Sequence, residues 1–174
     1  RSFHNIHLDS GWTYYGLDRA VFPTKGFRQS VGASIFLPAD GNSLGYYKLA
    51  YSNVAYQPVT ERNILTAKAQ VGFGDAFIRA KELPFYANYY AGGPGSVLGY
   101  EGNTLGPKDS KGDPIGGNFS LTGTLGWIFP SPVSPDSVRT MAFVDAGNVF
   151  NTYAPKDQGG INMDKIRFGA GLSV

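Results

Sequence analysis

Cysteine is missing from the 174-residue chain, and histidine occurs only twice. The first absence excludes a disulfide framework, thiolate metal sites and a cysteine nucleophile. The second leaves His4 and His7, whose odd spacing puts them on opposite faces of an extended strand, where they are poor co-ligands for one metal. Charge is sparse as well, at 16% of residues against a typical ~25%. The net charge of +2 supplies no field strong enough to recruit nucleic acid. No apolar run approaches the roughly 18 residues of a membrane helix, and the mean hydropathy is −0.18. What is abundant is glycine, with 24 residues, and aromatic side chains, at 14%. That balance runs against a helical bundle, and aromatics with little charge are the reverse of a disordered composition. One membrane class passes every one of these tests. A transmembrane β-barrel crosses on alternating strands, which average to mild polarity. Beginning at Arg1 and closing on an apolar strand pattern, the sequence reads as an excised fragment of such a domain.

Seven segments carry the period-2 alternation of a strand with two different faces. Ile6, Leu8, Trp12 and Tyr14 share a face in the first, and Val31, Ala33, Ile35 and Leu37 in the second. The third sets Tyr47, Leu49, Tyr51 and Ala55 against Lys48 and Ser52, although Val54 and Tyr56 break its pattern. The fourth aligns Leu65, Ala67, Ala69, Val71 and Phe73, the fifth Phe119, Leu121, Leu125, Trp127 and Phe129. The sixth aligns Val138, Thr140, Ala142, Val144 and Ala146, the seventh Ile166, Phe168, Ala170, Leu172 and Val174. Asp9, Arg28, Lys48, Lys68, Arg139, Asp145, Lys165 and Arg167 all fall on the opposite faces. A cation on the lipid face near the bilayer midplane costs about 2–4 kcal/mol, so a barrel must keep that face uncharged. A soluble sheet with one buried face obeys the same rule. The membrane reading is favoured by strands near the ~9–11 residues needed to cross, and by aromatics gathered toward strand ends as an interfacial girdle. The expected fold is all-β, an antiparallel transmembrane β-barrel.

Connections are unequal. Pro58–Asn63 and Pro130–Ser137 are short, whereas Ala76–Gly116 far exceeds the ~12–15 residues above which a connection is functional or disordered. Phe77, Phe85, Tyr86, Tyr89, Tyr90 and Tyr100 make it too aromatic for a flexible spacer, and Gly92, Gly93, Gly95 and Gly99 permit close backbone approach. An ordered loop directed into the lumen is expected, with Phe85, Tyr86, Tyr89, Tyr90, Gly92 and Gly93 packing it.

Chemical motifs are weak. Serines are present, but no nucleophile elbow or positioned acid marks a hydrolase. Asp109–Asp113 resembles the start of a calcium loop, yet Lys111 occupies a ligand position and Ser120 stands where the closing Glu belongs. Gly92–Ser96 lacks the lysine and helix of a phosphate loop. No catalytic residue, metal site or cofactor is expected.

Several blocks in order resemble the barrel of the BamA family of outer-membrane protein assembly factors. They are Leu17-Asp18-Arg19, Phe22-Pro23-Thr24-Lys25-Gly26, Tyr46-Tyr47-Lys48, Leu83-Pro84-Phe85-Tyr86 through Tyr90-Ala91-Gly92-Gly93, Asn103-Thr104-Leu105-Gly106-Pro107, Gly116-Gly117-Asn118 and Phe143–Phe150. The family's loop signature is Val-Arg-Gly-Phe or Val-Arg-Gly-Tyr. Here it is Val97-Leu98-Gly99-Tyr100, with Leu98 in the arginine's place. In the family that arginine lies against acidic groups on the inner wall. One of these positions matches Asp145, while the other, commonly Glu, is Gly126 here. The resemblance thus implies a paired loss of opposite charges at Leu98 and Gly126, with Asp145 satisfied by water or a nearby donor. Losing one partner of a buried pair costs about 3–5 kcal/mol, while losing both can be nearly neutral.

By the same resemblance, residues 1–174 are a seven-strand portion, about strands eight to fourteen, of a sixteen-stranded barrel. Soluble POTRA repeats and the seam strands lie outside the sequence. Ala76–Gly116, Asp40–Gly45 and Thr152–Asp164 are then extracellular, and Ala20–Gly26, Pro58–Asn63 and Pro130–Ser137 periplasmic. The implied function is non-enzymatic insertion of nascent β-barrel proteins into the outer membrane of a Gram-negative bacterium. Its partners are those clients, accessory assembly lipoproteins reached mainly through the POTRA repeats, and outer-membrane lipids, with no nucleic acid. The alternative is a two-partner-secretion type translocation pore of related barrel design.

Overall fold

The computed structural model describes residues 4–131 and 138–174. They form one antiparallel sheet in sequence order, β1 (Asn5–Leu17), β2 (Gly26–Pro38), β3 (Gly45–Pro58), β4 (Ile64–Ile78), β5 (Phe119–Pro130), β6 (Arg139–Phe150) and β7 (Arg167–Ser173). Each strand pairs with its successor, so the sheet is an open meander with free edges at β1 and β7. Short 3-10 turns at Phe85–Ala87, Lys156–Gln158 and Met163–Lys165 interrupt the two longest connections. Of the expected Pro130–Ser137 turn, residues 132–137 lie outside the described residues.

All seven expected strands are present, and most run two to four residues further at the turns than alternation alone indicated. The register settles the third strand. Val54 pairs with Arg28 and Lys68, and Tyr56 with Gly26 and Thr66, so both continue the charged face and interrupt nothing. One row of that face reads Tyr15, Arg28, Val54, Lys68, Thr124, Asp145 and Gly169 across all seven strands. No helix among the described residues is long and apolar enough to cross a membrane.

The other face is apolar and bare. Ile6, Leu8, Trp12, Val31, Ile35, Leu49, Leu65, Leu125, Trp127, Val144, Phe168 and Leu172 are all exposed, Leu125 at 68%. A soluble sheet would bury this face under a second layer, and the described residues form a single sheet. Leaving so much contiguous apolar area in water is costly at about 25 cal/mol per Å². A hydrocarbon environment removes that cost. Rings border the apolar band at both ends. Trp12, Tyr14, Phe27, Trp127 and Phe129 lie toward the short turns, with Tyr14 and Phe27 centroids 5.1 Å apart. Tyr47, Phe73 and Phe77 lie toward the long loops, with Tyr47 6.2 Å from Phe73.

Turn chemistry holds the hairpins. Asp18 accepts from the Thr24 hydroxyl at 2.5 Å and from the Thr24 and Lys25 amides at 2.8 and 3.0 Å, closing the β1–β2 turn. These donors, the Thr24 hydroxyl first, hold its carboxyl well below the usual carboxylate range. The contribution to folding is therefore complete above the ordinary pKa of about 4 and fades only as pH falls through the depressed value. Asp40 does the same for the β2–β3 turn, accepting from the Ser43 hydroxyl, His4 and the Asn42 and Ser43 amides.

Candidate functional site

The hydrophobic core of the described residues is not between two layers of sheet. It lies between the inner wall and loop 79–118, which folds back over it. One cluster joins Ala91, Val97 and Leu105 of the loop to Val149 of β6, with Tyr89 and Tyr100 against it. A second joins Leu83 and Ala87 to Tyr46 of β3, with Phe36 and Ala76 alongside. The loop thus packs its apolar side chains against the strands of the inner wall.

Glycines on the wall make room for it. A Cβ at Gly72 would stand 2.5 Å from the Tyr89 ring, and one at Gly169 would stand 1.9 Å from the Leu98 carbonyl oxygen. Neither glycine has positive φ, so what each provides is space, not backbone freedom. Tyr89 is held by its phenol, which donates to the Leu49 carbonyl at 3.0 Å, and by Lys48, whose ammonium sits 4.3 Å from the ring centroid. Paired bonds between Tyr89 and Gly117, at 2.8 and 3.1 Å, close the base of the loop. Gly92, Gly93, Gly95 and Gly99 all adopt positive φ, as the turn at the tip requires.

At the tip, Val97 is fully buried. The Leu98 amide donates to Asp145 Oδ2 at 3.1 Å, and the Thr124 hydroxyl donates to Asp145 Oδ1 at 2.7 Å. Lys68 Nζ reaches the Gly95 carbonyl at 3.4 Å. Three members of one cross-strand row, Lys68, Thr124 and Asp145, therefore meet the loop tip or the carboxylate that holds it. Asp145 is 6% exposed, and both its oxygens have donors. The nearby donor expected for Asp145 is the main chain of Leu98 itself, together with Thr124.

Gly126 has a different neighbourhood. Its missing Cβ would meet Met141 Sδ at 2.7 Å and Thr66 Cγ2 at 2.8 Å. The Leu98 side chain instead lies over Gly171, where a Cβ would stand 3.1 Å from Leu98 Cδ2 and 2.9 Å from the Phe143 ring. In the register Gly126 pairs with Phe143, and Phe143 with Gly171. Leu98 is therefore brought to Asp145 and separated from Gly126 by Phe143. Met141 fills the space an acidic side chain would need.

The six residues expected to pack the loop divide. Tyr89, Gly92 and Gly93 make close contacts to the wall or within the loop. Phe85 is 76% exposed, Tyr86 57% and Tyr90 39%, while the Tyr90 ring stands beside Gly116, where a Cβ would lie 2.9 Å from it. Phe85 and Tyr86 stack edge-to-face with each other at 5.6 Å, and Tyr86 touches Tyr46 at 6.2 Å. The 3-10 turn Phe85–Ala87 buries only Ala87.

Two further anchors have roles that the sequence alone did not disclose. Asn118, almost fully buried, donates to the Gly74 carbonyl and the Thr152 hydroxyl and accepts from the Thr152 amide. Tyr153 donates to Asp75 Oδ1 at 2.5 Å and accepts from the Leu83 amide at 3.2 Å, tying loop 151–166 to both β4 and the long loop. Burial, and then the bond to Asp75, pushes the Tyr153 phenol up to about 12. This contact is present below the unfolded phenol's pKa of about 10 and lost as pH rises toward 12. Tyr153→Phe should cost about 1 kcal/mol, a charged hydrogen bond discounted for partial exposure. Hydrogen exchange of the Leu83 amide, which loses its acceptor, should rise in the variant.

His4, Asp40 and Ser43 come together without the geometry of a hydrolase. The Ser43 hydroxyl donates to Asp40 and accepts from the His4 main-chain amide, while the His4 ring bonds the other Asp40 oxygen at 2.9 Å. Imidazole and hydroxyl share a carboxylate and do not face each other. Asp109 Oδ1 accepts from the Lys111 and Asp113 amides, a turn-closing role. No cluster of three metal-ligating side chains occurs among the described residues.

With this geometry in view, kinship is informative. An outer membrane protein assembly factor BamA from Neisseria meningitidis is 39% identical over 147 residues, covering 81% of this chain and 18% of its own. A SAM50-like protein of Schizosaccharomyces pombe is 28% identical over 149 residues, covering 82% of this chain and 30% of its own. The crystal structure of Haemophilus ducreyi BamA lacking POTRA domains 1–3 superposes with a TM-score of 0.82 at 32% identity, covering 95% of this chain and 35% of that one. The chain therefore spans about a third or less of these relatives, and its open sheet is a portion of a barrel. The Omp85 superfamily domain matches residues 1–174, and with it the exposed apolar band, the inward loop and these relatives agree that the chain belongs to the Omp85 superfamily.

Proposed function

We propose that this chain is the back wall of the barrel of a non-enzymatic insertase, about strands eight to fourteen of sixteen, which assembles β-barrel proteins into the outer membrane of a Gram-negative bacterium. The docked loop is the observation that carries the reading. Its tip is fixed on Asp145 and its stem on Tyr89, so residues 79–118 brace the inner wall where a diffusion pore needs open space. The bacterial relatives are outer membrane protein assembly factors by name, which supports the same reading.

An insertase of this kind offers a client an unpaired strand edge and perturbs the adjacent bilayer. The client's own folding supplies the energy, as new strands pair and bury apolar area against lipid. The stable meander of β1 to β7 serves as the rigid side of the barrel. The partners are nascent barrel proteins, outer-membrane lipids on the apolar band, and accessory lipoproteins acting through POTRA repeats beyond this chain.

The full-length protein in liposomes tests this. Nascent barrel clients should become protease-protected in its presence, with little steady ion conductance. Deleting Glu82–Gly106 should return insertion to the lipid-only rate and raise conductance. Export of a soluble passenger, with no client insertion, would replace this reading by a two-partner-secretion pore. A large steady conductance in the intact protein would count against assembly.

A further inference from the structure

The end of the sheet opposite the long loop carries a second inward structure. The β1–β2 turn, residues 18–25, does not simply link adjacent strands. It reaches across the concave face to β6, where Arg139 donates from one guanidinium nitrogen to the Pro23 carbonyl at 2.7 Å and from the other to the Phe22 carbonyl at 2.5 Å. The same guanidinium lies 4.9 Å from the Phe22 ring centroid. One side chain thus engages two successive carbonyls and a ring on a turn more than a hundred residues away. A planar fork does this well and an ammonium cannot reproduce it.

The turn is shaped for that contact. Phe22 has φ +53°, a left-handed conformation costly for a residue bearing a Cβ, and it is the residue whose carbonyl Arg139 takes. At its base the turn is closed by Asp18, through the Thr24 and Lys25 amides and the Thr24 hydroxyl. A rigid base with a strained tip pointing at a waiting donor is not what a plain hairpin connection needs. Behind the turn lies a cavity of about 500 Å³, lined among others by Phe22, Thr24, Ile64, Ile128 and Arg139. Ile64 and Ile128 pair with each other across β4 and β5 and are each 7% exposed.

We propose that residues 18–25 are a strap clasped by Arg139, which closes the short-turn mouth of the inner face independently of the long loop that braces the other end. The clasp joins the first strand pair of the sheet to its sixth strand, so it also fixes the curl of the sheet at this rim. It does not depend on what the whole protein assembles or transports.

The test uses the full-length protein in liposomes, on a background in which Ile128→Cys is the sole cysteine, and follows labelling by a small membrane-impermeant maleimide applied at the short-turn side. Arg139→Gln should raise the labelling rate about tenfold or more, the change expected when a contact of about 1.4 kcal/mol is lost. Arg139→Lys should fall between parent and Gln. Asp18→Ala loosens the base of the strap without touching Arg139 and should raise labelling too, which keeps the test decisive if Arg139→Gln does not fold. A cysteine at Leu98, in the loop tip, should keep its parental rate in these variants. Unchanged labelling at position 128 in a folded Arg139→Gln or Asp18→Ala protein would overturn the clasp. A parallel rise at position 98 would overturn it as well, since the whole barrel would then have loosened.

Discussion

Gly169→Ala should release the tip of the long loop from the inner wall. A Cβ at this position would stand 1.9 Å from the Leu98 carbonyl oxygen, a main-chain atom that cannot swing aside as a side chain would. Either β7 or the loop must move, and Leu98 is the residue whose amide holds Asp145. Overpacking of this kind costs about 1–3 kcal/mol, and loss of a hydrogen bond to a charged group adds about 1.5–3 kcal/mol. The sum, about 2.5–6 kcal/mol, is enough to favour the undocked loop locally. Protease cleavage between Gly93 and Gly99 should appear, and the Leu98 amide should lose its hydrogen-exchange protection. Gly11→Ala is the matched control on the same face, since its Cβ meets nothing nearer than the Val31 carbonyl oxygen at 3.7 Å. Parental protection in a folded Gly169→Ala protein would mean that the tip is held by Val97 and the stem, and that the Asp145 contact is incidental.

That prediction rests on a residue whose importance the sequence displays only in part. Gly169 and Gly171 stand on the charged face of an alternating strand, so their side of the sheet was legible from the sequence. Their partner was not. Alternation assigns faces, and short turns assign neighbours, because period 2 and hairpin length are local properties. Both the uncharged face and the sheet order follow from them. Contacts between strands that are not neighbours depend on curvature, which no window of sequence contains. Arg139 meeting Phe22 and Tyr153 meeting Asp75 belong to that class. The loop signature shows the same division. Resemblance grouped Leu98 with Asp145 because both lie on matched blocks, and the Leu98 amide meets the Asp145 carboxylate. It also suggested Gly126 as a partner, and here Phe143 stands between the two in register while Met141 lies against Gly126. Phe85 and Tyr86, expected to pack the loop, keep large exposed surfaces. Aromatic content says that a loop has something to pack against, and a one-turn 3-10 segment cannot turn all its rings to the same side.

The orientation of the two faces leads to the sharpest contrast between adjacent residues. Val31 lies in the middle of β2, 45% exposed on the apolar face, between Trp12 and Tyr51 in register. Gly32 is the next residue, on the inner face, where an added Cβ meets nothing within 4 Å. Val31→Arg should cost about 2–4 kcal/mol, the penalty for a cation near the bilayer midplane, which is roughly a 30- to 1,000-fold shift in the folding equilibrium. Gly32→Arg should cost less than about 0.5 kcal/mol, since its head reaches the polar lumen and a glycine in a strand is itself unfavourable. Urea-titrated folding of the full-length protein into lipid vesicles measures both. The solvent decides the sign of the comparison. In water, an exposed position such as Val31 is where an arginine is nearly free, so equal costs at 31 and 32 would mean that both faces are wet. A penalty confined to position 31 requires that the exposed apolar face be dissolved in lipid. That is the condition under which a single bare sheet with its core against a loop is a stable structure.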